Sequence, residues 1–169
     1  PFCLERQHPM KGKFNADAQI EALKSVLQEH PNARLTITGG EPGLYPEHVR
    51  RLVNVYREKS NNTFVSINTS GYSTQINGIA HINLSVNDYV KPDPLDFPGC
   101  TLQTVLDDEQ MTLENIRRIM IKNKDASSFS FRFLCGLEKE SYSVAIWNEI
   151  QEDQHFEIGT FRIGDFFVY

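Results

Sequence analysis

Two glycines, a carboxylate and a proline follow directly on four residues of strand character in Leu35-Thr36-Ile37-Thr38-Gly39-Gly40-Glu41-Pro42-Gly43. Alternating Leu, Thr, Ile and Thr suit an extended segment with one buried face. Gly39 and Gly40 stop that strand and leave backbone N–H and C=O groups uncovered by any Cβ. Glu41 then sets a negative charge at the strand's end, and Pro42 fixes the direction of exit. An uncovered backbone edge beside a fixed carboxylate is suited to holding an ammonium group. The plain alternative is a Gly-Gly turn with an exposed Glu, because glycine pairs mark turns in proteins of every class.

The other reactive residues are scattered. Cys3, Cys100 and Cys135 are odd in number and far apart, so they read as reduced thiols of a cytoplasmic protein rather than a disulfide framework. His8 precedes Pro9 in a polar loop and reads as a solvated histidine, with a ligand or substrate contact as the alternative. The chain contains no G-x-x-x-x-G-K-[ST], no G-x-G-x-x-G and no G-x-S-x-G. The P-loop, the dinucleotide fingerprint and the serine-hydrolase elbow are thereby set aside.

The elements that must position these residues alternate along the chain. Asn15 or Asp17 caps a helix over Ala16 to Glu29, with Ile20, Leu23, Val26 and Leu27 on one face. A strand over Arg34 to Thr38 leads into the glycines. Pro46 opens a second helix running to about Ser60, with Val49, Leu52, Val53 and Tyr56 as its buried stripe and its arginines on the wet side. Strands are expected over Thr63 to Asn68 and His81 to Asn87, joined by a crossover short for a βαβ unit. Thr101 to Asp108 reads as a short strand or an irregular segment. A helix from Thr112 to Asn123, a strand over Ser128 to Cys135, a helix over Ser141 to Gln151 and a strand over Phe156 to Ile163 complete the pattern, with Phe166 to Tyr169 extending the last strand or beginning another. Strands alternating with helices, each strand ending in polar or glycine residues, predict a single-domain α/β fold with a parallel sheet. A doubly wound sheet and an open barrel both fit, and both gather chemistry at the strands' C-terminal ends.

Composition bounds the function. The chain has 169 residues, 40% apolar and 23% charged, enough for one domain with a sizeable core. A net charge of −5 argues against nonspecific nucleic-acid binding, which needs a basic stripe. No apolar run is long enough to span a bilayer, so no membrane partner is expected.

The Gly39–Pro42 stretch resembles the Gly-Gly-Glu-Pro motif of the radical S-adenosylmethionine (radical SAM) enzymes, which ends the second strand of a partial (β/α)6, TIM-like barrel. Pro1-Phe2-Cys3 is similar to the end of the Cys-x3-Cys-x2-Cys loop that follows that family's first strand. The resemblance implies that Cys3 is the third thiolate of a [4Fe–4S] cluster, with the second cysteine just before Pro1 and the first strand cut off. It implies that Gly39, Gly40, Glu41 and Pro42 hold the methionine amino end of S-adenosyl-L-methionine. It further implies that Ser85 and Asn87 contact the ribose or the methionine carboxylate, and that Asn68 and Thr69 line the same mouth. Arg132, within the following strand, is a further candidate for the cofactor carboxylate.

The implied chemistry is that of an oxidoreductase: reductive cleavage of S-adenosylmethionine and hydrogen-atom abstraction from an unidentified substrate, with flavodoxin or ferredoxin as electron donor. Two of the three cluster cysteines are absent from this chain, so as an isolated polypeptide it is expected to be inactive. Two alternatives stand beside this reading. One is a related barrel without a cluster, acting as a binding or regulatory module. The other is an unrelated α/β enzyme, such as a sugar-phosphate binder using the strand-end glycines.

Overall fold

The computed structural model describes residues 15–86, 91–106, 112–133, 161–163 and 166–168. The chain divides into two compact units, Pro1–His81 and Ile82–Tyr169.

In the first unit, helix α1 (Ala16–Glu29) begins where Asn15 accepts a hydrogen bond from the Ala18 amide at 3.0 Å. Asp17 instead pairs with Arg51 at 2.7 Å. Ile20 and Leu27 are buried, whereas Val26 is 49% exposed. Six residues on from Ile20, Val26 lies about 120° round the helix, off the arc that Ile20, Leu23 and Leu27 share. It therefore does not belong to the buried face expected from the sequence.

Helix α2 (Pro46–Lys59) carries Glu47 in its first turn and Arg57 and Lys59 in its last, each sign complementing the helix dipole. Val49, Val53 and Tyr56 are buried, and the Tyr56 hydroxyl donates to the Ala33 carbonyl at 2.8 Å. The arginines do more than face water. Arg50 and Arg57 donate to the Gln75 and Ile79 carbonyls at 2.7 Å each, clamping the crossover that follows. That crossover is a single 3₁₀ turn, Thr74–Ile76, anchored by the fully buried Ile76. Strands β1 (Leu35–Ile37) and β2 (Val65–Thr69) pair in parallel, Leu35 opposite Val65 and Ile37 opposite Ile67.

In the second unit, β3 (His81–Val86), β4 (Thr101–Leu106), β5 (Ser128–Phe133) and β6 (Phe161–Ile163) pair in parallel in that order. Strand β7 (Phe166–Val168) is a separate strand that returns antiparallel on β6. The stretch read as strand or irregular at Thr101 is a regular strand. Ile82, Leu84, Leu102, Leu106, Phe129 and Phe131 form one buried face. Helix α3 (Leu113–Lys122) is capped by Thr112, which accepts from the Asn115 amide at 3.2 Å, and buries Ile116 and Met120. The expected helix over Ser141 to Gln151 lies outside the described residues. Each unit is thus parallel α/β. No helix among the described residues is long and apolar enough to cross a membrane.

Candidate functional site

Strand β1 stops at Ile37, and the chain turns through two left-handed residues, Gly39 at φ +84° and Gly40 at φ +56°. L side chains resist that backbone, which is why glycine is required at both. Both glycines are exposed, and a Cβ at either would meet nothing within 4 Å. Their role is therefore conformational, and their main chain faces open space.

Glu41 resumes an extended conformation and caps the 3₁₀ turn Pro42–Leu44. Its carboxylate does not face solvent. One oxygen accepts from the Gly43 amide at 2.9 Å and from the Thr69 hydroxyl at 2.5 Å. The other accepts from the Ser70 amide at 2.8 Å and the Ser70 hydroxyl at 2.5 Å. Four donors match the roughly four lone-pair sites of an ionised carboxylate. Burial alone pushes the Glu41 pKa up, but the hydrogen bonds from Ser70, Thr69 and Gly43 outweigh it and hold the group below its ordinary range. Glu41 is thus an ionised strut tying the end of β1 to the end of β2. Its charge stays beside the glycines while its oxygens are engaged within the protein.

Thr69 is buried, and its hydroxyl also accepts from the Gly71 amide at 3.0 Å, so it relays the β2 turn onto Glu41. Asn68 is half-buried and donates to the Thr38 hydroxyl across a long 3.5 Å. Pro42 and Gly43 are buried. A Cβ on Gly43 would lie 3.0 Å from a Glu41 carboxylate oxygen and 3.1 Å from the Ser73 backbone nitrogen. The sequence reading assigned no role to Gly43, Ser70 or Ser73. The run of small polar residues after β2 was the available signal.

The structure therefore brings together Gly39, Gly40, Glu41, Pro42, Asn68 and Thr69 of the predicted set. Ser85 belongs to the second unit, where it is half-buried on β3 and sits opposite Gln103. Asn87 and Cys3 lie outside the described residues, as do His8 and Cys135. Cys100 is buried just before β4, and burial pushes its thiol pKa up, so it is held protonated. Among the described residues no group of three His, Cys, Asp or Glu side chains is placed to hold a metal ion.

Residue parity in the strands adds a second feature. The positions alternating with the apolar ones are Thr36 on β1, Ser66 and Asn68 on β2, Asn83 and Ser85 on β3, Thr101 and Gln103 on β4, and Ser128 and Ser130 on β5. Thr36 and Ser66 hydrogen-bond across strands at 3.0 Å in the first unit, as Thr101 and Ser128 do at 2.7 Å in the second. Polar residues therefore dominate one face of the β1–β2, β3–β4 and β4–β5 pairings. Comparison with protein-family models, curated proteins and solved structures finds no match to this chain.

Proposed function

We propose that the chain is the core of a radical SAM enzyme, with Gly39–Pro42 as the cradle for the methionine amino group of S-adenosylmethionine. The observation that carries this reading is the geometry of that stretch. Two exposed left-handed glycines end a parallel strand beside a carboxylate fixed in its ionised form. Those residues fit an ammonium: uncovered carbonyls accept its protons, and the Glu41 charge favours it without a direct contact.

Parallel strands alternating with helices are compatible with the open partial barrel that the family resemblance implies.

Asn68 and Thr69, at the end of β2, would line the same mouth, with Thr69 acting through Glu41. Ser85 and Asn87 are the candidates for the ribose or carboxylate contacts, and Cys3 for a cluster thiolate. When bound, S-adenosylmethionine and its cluster supply one-electron cleavage of the sulfonium and hydrogen-atom abstraction from substrate. The protein's own part is to hold the amino end in one orientation and to keep its charge compensated.

Anaerobic reconstitution of the protein expressed from its complete gene tests the proposal. Electron paramagnetic resonance of the reduced sample should show a [4Fe–4S] signal that changes on adding S-adenosylmethionine and is lost in Cys3→Ala. A folded protein that takes up no iron and sulfide would favour the cluster-less binding module.

A further inference from the structure

Glu41 is held more firmly than a strand-end turn requires. All four bonds to its carboxylate come from neutral donors, the Gly43 and Ser70 amides and the Thr69 and Ser70 hydroxyls. No cation pairs with it among the described residues. Strand β2 and the Thr74–Ile76 turn, which pack against the Pro42–Leu44 turn, carry no charged residue. On α2, Arg50 is engaged with Glu47, Arg51 with Asp17 and His48 with Gln19. A brace between two strand ends needs no charge, because an amide or a hydroxyl would make such ties without taking an anion part-way out of water. A half-buried carboxylate with saturated lone pairs and no internal counter-charge instead draws its cation from outside the fold.

Ser70 supplies half of that hold. Its amide, at 2.8 Å, and its hydroxyl, at 2.5 Å, donate to one carboxylate oxygen, while Thr69 and Gly43 share the other. Burial pushes the Glu41 pKa up, and the Ser70 hydroxyl is the largest of the hydrogen bonds that bring it down. Ser70 itself is half-buried, directly after β2. We propose that Ser70 is a positioning residue of the cradle: acting through Glu41, its hydroxyl fixes the orientation and charge of the carboxylate, and so sets how far down in pH the Gly39–Gly40 edge keeps its preference for an ammonium. The inference rests on reading Gly39–Pro42 as an amino-group cradle, and it adds to that cradle a residue from the neighbouring strand end.

NMR titration of the full chain with isotope-labelled glutamate carboxyls tests the first step. The Glu41 signal should titrate below the ordinary 4.5 in wild type and in Ser70→Thr, which keeps the hydroxyl, and higher in Ser70→Ala. Calorimetry of the same chains with S-adenosylhomocysteine and with its deamino analogue tests the second. The preference for the amino compound should fall about twofold or more in Ser70→Ala at about pH 4.5, stay nearly unchanged at about pH 8, and be restored in Ser70→Thr. A merely structural role would weaken both compounds alike at both pH values. Ser70→Cys, whose thiol is a weak donor, takes the place of Ser70→Ala if that variant does not fold. A Glu41 carboxyl that titrates alike in wild type and in the folded variant would overturn the inference alone, as would a preference that falls equally at both pH values. Wild type with no preference for the amino compound would overturn the cradle reading and the inference with it.

Discussion

Glu41 ties the end of β1 to the end of β2, accepting from Gly43 and from Thr69 and Ser70, which lie about thirty residues away where no local rule joins them. The four accepted hydrogen bonds make a specific demand for an anion. Glu41→Gln replaces one acceptor oxygen by an N–H donor facing other donors, and should cost about 1–3 kcal/mol in urea unfolding. The pH dependence follows from the sign of the shift. The folded pKa lies below the ordinary 4.5, so the stabilisation is fully present above that value and is lost as pH falls through the folded pKa. Wild type should therefore lose stability as pH falls below about 4.5, and Glu41→Gln should lack that part of the slope. Gly43→Ala meets Glu41 and the Ser73 backbone at close to 3 Å and should cost about 1–3 kcal/mol by overpacking, measured the same way. Gly43 was illegible because its φ is unremarkable and its need for glycine comes from a neighbour distant in sequence.

At the scale of elements, helix starts were the most legible feature, because Asn15, Pro46 and Thr112 carry local chemistry that fixes them. The ends of β1 and β2 shifted by one or two residues, since pairing with a neighbour, rather than local pattern, decides where a ladder stops. The stripe on α2 was legible from its spacing, but its anchoring was not. Tyr56→Phe keeps the buried ring and leaves the Ala33 carbonyl without its 2.8 Å donor. It should cost about 1 kcal/mol in the same unfolding assay, with the helix retained by circular dichroism. Register aligns Ser85 with Gln103 and Ser130 across three strands, which no local pattern along the chain reveals.

For the whole molecule, the parallel α/β class was readable because strand and helix periods alternate along the chain. The polar row across β3, β4 and β5 was not, because it depends on which residues register brings into line across separate strands. The central claim is chemical: the Gly39–Pro42 cradle serves S-adenosylmethionine in a radical reaction. The most direct measurement is formation of 5′-deoxyadenosine by the protein expressed from its complete gene, reconstituted without oxygen and reduced with dithionite in the presence of S-adenosylmethionine. The account predicts 5′-deoxyadenosine in wild type and strong loss in a folded Gly40→Val variant, whose side chain is incompatible with the left-handed turn. Folded wild-type protein carrying an intact cluster but releasing no 5′-deoxyadenosine would contradict it.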